Sequence, residues 1–300
     1  MYYILYGFLY LVSLLPLPVM YVISDITAFL LFRVVGYRRK IIEQNLAIAF
    51  PAKSEEERKT IARKFHRNFT DNFIETLKCI SAGRSFFERR CTGDMSIFEE
   101  LNREGISCQF HGGHQFNWEW INLHMAIHIK QPTVIVYMPI SSKPLDRLFY
   151  KMRTRFGTEL LPATNMRYGL VKWRKKIHVL TLIADQTPAA AASGFWLNFF
   201  SKPTPFVKGP EKNAMIKKEA VVFGRMIKKG RGRYQSEFKL ICKDTSALKE
   251  GELTRLYRDY LEMAISAEPE IYLWSHRRWK WDYTPDLEKE WIDTVPPPVS

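Results

Sequence analysis

The sequence predicts an α/β protein with a mixed central sheet flanked by helices, preceded by an N-terminal hydrophobic membrane-anchor helix. Three observations support this fold class. Residues 1–24 carry no charged side chain. From Gly105 onward, short apolar runs alternate with helical segments, as strands and helices do in α/β sheets. Two further apolar runs flank a turn at residues 228–232, which predicts an antiparallel hairpin and therefore a mixed sheet.

The uncharged N-terminal run predicts a membrane anchor. A helix of this length measures about 36 Å, enough to cross a hydrocarbon core of about 30 Å. Pro16 and Pro18 interrupt the run, so a kinked span, a re-entrant hairpin and a helix lying in the membrane plane all remain open. No Lys or Arg precedes the run and no small-x-small site follows it, which argues against a cleaved signal peptide.

A basic segment follows the anchor and contains Arg33, Arg38, Arg39 and Lys40. The positive-inside rule then predicts that the rest of the chain is cytoplasmic. We assign residues 1–40 to the anchor with its basic flank, 41–290 to one catalytic domain, and 291–300 to a Pro-rich tail. Pro296, Pro297 and Pro298 indicate that this tail is extended and need not pack.

The body of the chain alternates between helical and strand patterns. Ser54-Glu55-Glu56-Glu57 reads as a capping box that opens a helix ending at about residue 80. Its apolar stripe, core or membrane-facing, consists of Ile61, Phe65, Phe69, Phe73 and Leu77. Strands are predicted at 106–110, 132–140, 177–184, 220–227 and 234–242. Further helices are predicted at about 117–129, 144–156 and 252–265.

The charge balance favours an anionic partner. The chain of 300 residues has 45 Lys and Arg against 31 Asp and Glu, a formal net charge of +14. Such a surface attracts nucleic acid, anionic lipid headgroups, phosphorylated substrates or acidic carrier proteins. The basic residues are not interleaved with aromatic residues as in nucleic-acid modules, which argues against nucleic acid. The four cysteines show no C-x-x-C spacing, which suits a reducing compartment.

The segment from His111 to Glu119 contains candidate acid–base residues. It follows a predicted strand, where open α/β sheets place their sites, and Gly112 and Gly113 let the backbone turn sharply. His114 and Glu119 would lie about 140° apart on a continuous helix, so they can meet only if His114 lies on the loop. Glu119 could then hold one imidazole nitrogen while the other accepts a proton.

Two other interpretations of this segment remain open. Its polar side chains can simply satisfy backbone groups of a loop and a helix cap. A metal site would use His111, His114 and Glu119, although no H-E-x-x-H motif is present. His124 and His128 are spaced i, i+4 and could also be ligands, but packing histidines are commoner at such positions.

A series of motifs lies along residues 16–282 and resembles the lysophospholipid acyltransferase superfamily. Within that superfamily the chain specifically resembles the late acyltransferases of lipid A biosynthesis, the lauroyl and myristoyl transferases. The motifs are Leu15-Pro16-Leu17-Pro18, Arg33 to Lys40 with Asn45-Leu46 and Ala49-Phe50-Pro51, Gly113-His114 with Asn117-Trp118-Glu119, Asp185-Gln186, Phe199-Phe200 with Pro203, and Pro269 to Lys280. Gln115-Phe116 and Ser201 depart from the family pattern, which affects acyl-chain length and acceptor more than the reaction.

The resemblance implies a glycerolipid acyltransferase-like fold and an enzyme of the inner membrane with its catalytic domain on the cytoplasmic face. In such proteins His114, oriented by Glu119, would take the proton from a hydroxyl of a lipid A precursor. That hydroxyl attacks the acyl thioester of acyl carrier protein, and no metal or redox cofactor is needed. Substrate-binding positions would be Asn117, Arg167, Asp185, Gln186 and Arg277, the arginines because a guanidinium binds phosphate bidentately.

Three alternatives to this interpretation remain open. The same transfer could use another acceptor, such as an amino-acid lipid, a glycolipid or a lysophospholipid. The donor could be coenzyme A rather than acyl carrier protein. A non-catalytic basic protein, tethered to the membrane and binding anionic lipid, is the alternative from a different functional class.

Overall fold

The computed structural model describes residues 2–297. Its helices in chain order are α1 (Tyr2–Leu14), α2 (Leu17–Ala28), α3 (Arg39–Ala49), α4 (Glu55–Ser81), α5 (Arg84–Glu88), α6 (Ser96–Arg103), α7 (Trp118–His128), α8 (Lys143–Arg153), α9 (Met166–Gly169), α10 (Gly209–Lys217) and α11 (Glu252–Ala267). Its strands are β1 (Cys91–Gly93), β2 (Cys108–Gly112), β3 (Thr133–Tyr137), β4 (Glu159–Pro162), β5 (Val179–Ile183), β6 (Gly194–Phe199), β7 (Lys202–Val207), β8 (Ala220–Gly230) and β9 (Arg233–Cys242).

The central sheet has seven strands in the order β1-β9-β8-β2-β5-β3-β4. Neighbouring strands are parallel except for β8 and β9, which form an antiparallel hairpin. Strands β6 and β7 form a separate antiparallel pair. The predicted α/β class with a mixed sheet is therefore confirmed. The hairpin strands of the prediction correspond to β8 and β9, and the three other predicted strands correspond to β2, β3 and β5.

Helix α4 begins as the sequence predicts. The Ser54 hydroxyl accepts a hydrogen bond from the backbone N–H of Glu57, and the Glu57 carboxylate accepts one from the Ser54 backbone N–H. These reciprocal bonds satisfy two of the four N–H groups that lack a partner at a helix start. Phe65 and Phe69 of the predicted stripe are buried, whereas Phe73 is exposed. The stripe is therefore core over only part of its length.

Each face of the sheet packs on its own hydrophobic core. Because side chains alternate along a strand, Val221 and Phe223 of β8 point to one face and Val222 points to the other. The first face packs with Tyr257 of α11, and the second with Trp120 of α7. All five side chains are less than 5% exposed. Helices α7 and α11 thus cover opposite faces and bring residues from both sides to the same sheet edge.

Part of the predicted Pro-rich tail packs against the domain. The backbone N–H of Ile292 donates to the Trp196 carbonyl at 2.8 Å. The Asp293 carboxylate accepts from the Asn198 backbone N–H at 2.8 Å and pairs with Arg258. Residues 291–293 therefore belong structurally to the domain, whereas Pro298 and the two residues after it lie outside the described residues.

Candidate active site

His114 and Asp185 follow the ends of two neighbouring parallel strands. Strand β2 ends at Gly112 and β5 ends at Ile183, and these two residues are paired in register. The carboxyl ends of parallel strands meet at one edge of a sheet, where open α/β sheets bind ligands. The two side chains are therefore in contact although 71 positions separate them in the chain.

Asp185 holds His114 through two hydrogen bonds. The His114 backbone N–H donates to Asp185 Oδ2 at 2.8 Å, and the imidazole Nδ1 lies 2.5 Å from Oδ1. The Asp185 side chain is only 2% exposed. Burial raises the pKa of the Asp185 carboxyl, but the charge of His114 and its hydrogen bonds outweigh burial and hold that pKa below its ordinary value. An ionised Asp185 favours the tautomer with the proton on Nδ1.

The second imidazole nitrogen of His114 faces the solvent-accessible side. With Nδ1 protonated, Nε2 carries a lone pair, and the amide N–H of Gln186 lies within hydrogen-bond distance at 3.2 Å. Gln186 is exposed, so a hydroxyl that enters the site can displace its amide from Nε2. The His114 side chain, 18% exposed, is thus held on one side and accessible on the other.

The C-terminal motif positions the loop that carries His114. The Leu273 backbone N–H donates to the His114 carbonyl at 3.1 Å. On the Asp185 side, the Thr187 backbone N–H donates to Nε2 of His276 at 3.3 Å. The segment from Leu273 to His276 therefore contacts both the His114 loop and the Asp185 loop, which gives the motif Pro269 to Lys280 a structural role beside the site.

A cavity of about 290 Å³ opens beside His114 and is called the His114 cavity below. Its lining is mainly apolar: Phe110, Trp118, Ile121, Met125, Ile135, Val136, Tyr137, Met138, Ile140, Ala163 and Ile183. The polar residues that line it are His114, Glu119, Asn122, Thr133, Arg153, Thr181 and Gln186.

The His114 cavity runs along the face of the sheet beneath α7. Phe110 of β2, Thr181 of β5 and Ile135 of β3 lie side by side in one register row of the sheet. His114 follows β2 at the carboxyl edge of the same sheet. Residues at the inner end, such as Met125 and Thr133, are less than 5% exposed, whereas Met138 at the outer end is 65% exposed. The lining residues are therefore buried at the inner end and exposed toward the carboxyl edge of the sheet, where His114 lies.

Glu119 binds Arg153 and does not hold His114. The Arg153 guanidinium donates from Nε to Glu119 Oε2 at 2.9 Å and from Nη2 to Oε1 at 2.5 Å. This pairing corrects the prediction that Glu119 orients the imidazole. The physical reason is that Asn117 starts α7, which places Glu119 on the first turn facing α8, where a bidentate guanidinium satisfies both carboxylate oxygens.

The comparisons with known proteins identify the family. The model of the bacterial lipid A biosynthesis acyltransferases matches residues 1–281. The chain belongs to this family. It is 25% identical over 280 residues to the lipid A biosynthesis lauroyltransferase of Escherichia coli K12, covering 91% of this chain and 89% of that protein. It is 22% identical over 281 residues, with the same coverage, to the palmitoleoyltransferase of the same organism and to a lipid A biosynthesis acyltransferase of Shigella flexneri.

Asn117 of this acyltransferase caps a helix and is not placed to contact a substrate. Its side-chain oxygen accepts from the backbone N–H groups of Glu119 and Trp120, and its Nδ2 donates to Glu75 at 3.2 Å. The residue is fully buried. The predicted substrate-binding role is therefore corrected to N-capping, because the asparagine oxygen satisfies N–H groups that the first helical turn leaves free.

The two predicted phosphate-binding arginines occupy different places. Arg167 lines a separate cleft beside Trp173, Arg174 and His178, next to the amino-terminal ends of β2 and β5. It is thus not brought to the His114 cavity, because the chain after β4 returns toward the amino-terminal edge of the sheet. Arg277 is exposed, and its carbonyl accepts from the Thr187 hydroxyl at 3.1 Å, so it stays beside the Asp185 loop.

Two arginines that the sequence interpretation missed lie near the site, Arg278 fully buried and Arg153 partly buried. Arg153 ends α8 directly after Met152, which is buried, and no local pattern pairs it with Glu119, 34 residues earlier. Arg278 is 1% exposed, donates to the Pro205 carbonyl at 2.9 Å and lies 4.2 Å from the centre of the Phe206 ring. Arg277 and Arg278 are consecutive in the C-terminal motif, and this repeat was the sequence signal that could have indicated Arg278, the one that the structure buries.

Glu119→Ala is expected to lower the free energy of unfolding by about 3 kcal/mol. The change leaves the Arg153 guanidinium, whose side chain is 17% exposed, without its carboxylate, and removing one partner of a buried pair is strongly destabilising. Urea unfolding measures the difference. The matched control is the double variant Glu119→Leu, Arg153→Met, which removes both charges and is expected to recover most of the loss. A loss of less than about 1 kcal/mol in the single variant would contradict the structural role of the pair.

Proposed function

We propose that this acyltransferase moves a fatty acyl chain from the thioester of acyl carrier protein to a hydroxyl of a lipid A precursor. The observation that carries the proposal is the His114 and Asp185 pair at the open end of an apolar cavity. A general base oriented by a carboxylate is the arrangement that activates a hydroxyl for attack on a carbonyl. The family supplies the coarser class, acyl transfer in lipid A biosynthesis.

The proposed reaction needs one proton acceptor at the Nε2 atom of His114. The acceptor hydroxyl displaces Gln186, gives its proton to Nε2, and its oxygen forms a bond to the thioester carbonyl carbon. The carbon–sulfur bond then breaks, and the leaving thiolate takes the proton back from the imidazolium. Asp185 remains ionised and stabilises the imidazolium through Nδ1. A positioned general base contributes about 10² to 10⁴ in rate.

The His114 cavity is the proposed place for the acyl chain. Its wall is mainly apolar and its inner end is lined by buried residues, so a single hydrocarbon chain can replace solvent there while the thioester stays at the exposed end beside His114. The acceptor, which is larger, would stay outside and present one hydroxyl to His114. The Glu119 and Arg153 pair forms part of the same wall and keeps the geometry of its open end.

The donor and the location follow from charge and from the N-terminal helices. A chain with a net charge of +14 attracts an acidic carrier protein and the anionic face of a membrane. Within residues 2–297, one helix is long and apolar enough to cross a membrane: α2 together with the π-helical segment Phe29–Val34 that continues it. We therefore propose the inner membrane as the location, with the catalytic domain on its cytoplasmic face.

A transfer assay with defined substrates tests the proposed function. The purified chain is incubated in detergent with acyl-acyl carrier protein or acyl-coenzyme A, and with a lipid A precursor, a lysophospholipid or a glycolipid as acceptor. We expect an acylated lipid A precursor, by mass spectrometry, from the carrier-protein donor. Transfer only to another acceptor would replace the proposed substrate, and no transfer to any acceptor would contradict the enzyme assignment. Lipids from a strain that lacks the protein should miss one acyl chain.

A further inference from the structure

We propose that the N-terminal helices bind one leaflet of the bilayer through an exposed apolar face and do not cross the membrane. This inference rests on the proposed membrane location and specifies how the chain meets the membrane. It addresses the three arrangements that the sequence left open. The observations that carry it are the packing of α2 on α4, the charges beside that contact, and the two exposed apolar stripes.

Helix α2 is fixed along α4 by polar contacts. The Ser24 hydroxyl donates to Asp71 at 2.7 Å, and both residues are fully buried. The Tyr21 hydroxyl donates to Glu75 at 2.8 Å. Further along, Phe32 stacks on the His66 ring with 3.9 Å between the ring centres. Because residue numbers rise along α2 while their partners fall along α4, the two helices are antiparallel neighbours.

The β8–β9 hairpin of the central sheet binds both α2 and α4 at the same contact. Arg231, in the turn between β8 and β9, donates to Asp71 at 2.6 Å and to Asp25 at 2.7 Å. Arg67 of α4 also pairs with Asp25, at 3.1 Å. In residues 2–297, one helix is both long and apolar enough to cross a membrane, and its middle is therefore bonded to charged groups of the domain. This helix cannot leave α4 without breaking those bonds.

The charges on α4 exclude a spanning position in this packing. Arg63, Lys64 and Arg67 face solvent beside the α2 contact, with side chains 52 to 61% exposed. If α2 crossed the bilayer, Arg67, which pairs with Asp25 near the middle of the apolar helix, would lie at the depth of the hydrocarbon, where charged groups are strongly disfavoured. A position at the membrane surface keeps the three α4 cations in water while α2 touches lipid.

The opposite sides of α1 and α2 form two exposed apolar stripes, together called the lipid face. The exposed residues recur at helical spacing: Tyr3, Ile4, Phe8, Leu11 and Leu14 on α1, and Val19, Val22, Ile23, Ile26, Phe29, Leu30 and Val34 on α2 and the π-helical segment that continues it. Exposed apolar side chains that follow one face of a helix mark an interaction site. Arg33, Arg39 and Lys40 are exposed at one end of it, which favours anionic headgroups as the partner.

The same packing places the open end of the His114 cavity beside the lipid face. Helix α8 contacts α1 through Arg147, 4.3 Å from the centre of the Tyr2 ring, and Lys151, 4.2 Å from that of Tyr6. Arg153, at the end of α8, and Met138, just before α8, line the cavity. We infer that lipid reaches His114 sideways from the leaflet that holds α1 and α2.

The first test compares the sides of the membrane on which the N-terminus and the domain lie. A polar peptide with one cysteine is fused before Met1, and Lys130→Cys provides the domain reference because the Lys130 side chain is 72% exposed. A membrane-impermeant maleimide is applied to spheroplasts and to inverted vesicles, with the parent chain as background. We expect both cysteines to react only in inverted vesicles. Reaction of the N-terminal cysteine from the periplasmic side would show a crossing helix and overturn the inference.

The second test measures the lipid face directly. Ile26→Glu is compared with Ile216→Glu, a matched control on α10 where Ile216 is 82% exposed and away from the lipid face. Binding of the full chain to phosphatidylethanolamine–phosphatidylglycerol vesicles is expected to weaken about tenfold or more in Ile26→Glu and little in Ile216→Glu, at unchanged circular dichroism. Equal binding of both variants would overturn the lipid face. If Ile26→Glu abolished a dimer but left vesicle binding intact, the partner of the lipid face would instead be a second copy of the chain. Neither test measures acyl transfer, so the proposed function can fail separately.

Discussion

His114→Ala is expected to lower the rate of acyl transfer by about 10²- to 10⁴-fold, since this is the range that a positioned general base contributes. The change removes the Nε2 atom that would accept the hydroxyl proton, and no other imidazole lines the His114 cavity in the described residues. The rate is measured under single-turnover conditions with acyl donor and lipid acceptor, so that product release does not hide the effect.

A control must separate lost chemistry from lost folding, because His114→Ala also leaves Asp185 buried without its imidazole partner. His114→Asn is the matched variant, since its side-chain N–H can still donate toward Asp185 but offers no base. We expect His114→Asn to keep the thermal unfolding midpoint close to that of the parent and to lose transfer to the same extent. Parental activity in either variant would refute His114 as the base.

Asp185→Asn is expected to lower transfer by a comparable factor, about 10² to 10⁴. In the Ser-His-Asp triad the equivalent change costs about 10⁴ in kcat, because the amide favours the wrong imidazole tautomer and cannot stabilise the imidazolium. Here the Asp185 carboxylate is 2% exposed and bonds both the backbone N–H and Nδ1 of His114. An amide at this position should therefore also disfavour the tautomer protonated at Nδ1 and fail to stabilise the imidazolium. The pH dependence of kcat in the variant reports whether the protonation of His114 has changed.

Glu119→Gln is the control for Asp185→Asn, because it removes the other carboxylate near the site. We expect its effect on transfer to stay below about tenfold, since Glu119 bonds Arg153 and not His114. A larger loss in Glu119→Gln than in Asp185→Asn would return the orienting role to Glu119, as the sequence alone had suggested.

The sequence predicts where His114, the proposed base, lies, but not which carboxylate contacts it. The glycine pair after an apolar run places His114 at the end of β2, and a second apolar run places Asp185 at the end of β5. That the two strands are neighbours is a property of the sheet order, which local patterns do not contain. Because His114 and Glu119 are close in sequence, the sequence favoured a pair between these two residues. In the structure Glu119 pairs with Arg153 instead, and the position of Arg153 depends on the packing of α8.

Other differences have similar physical causes. The strands with regular apolar runs were predicted, whereas β7 contains Pro203 and Pro205, which a strand pattern excludes, and it pairs with only one neighbour. Asn117 matched a family motif, but its cap hydrogen bonds become visible only with the start of α7. The uncharged N-terminal run predicted a membrane anchor, while its packing on α4 depends on Asp71 and Arg231, which lie far from it in sequence.

The most direct test of the central claim is the nitrogen-15 imidazole NMR spectrum of His114 in chain labelled at histidine. Asp185 should hold a proton on Nδ1, so we predict a hydrogen-bonded Nδ1 proton in the parent and in Glu119→Gln, and its loss in Asp185→Asn. Retention of that proton in Asp185→Asn together with its loss in Glu119→Gln would contradict the pairing on which the proposed chemistry depends.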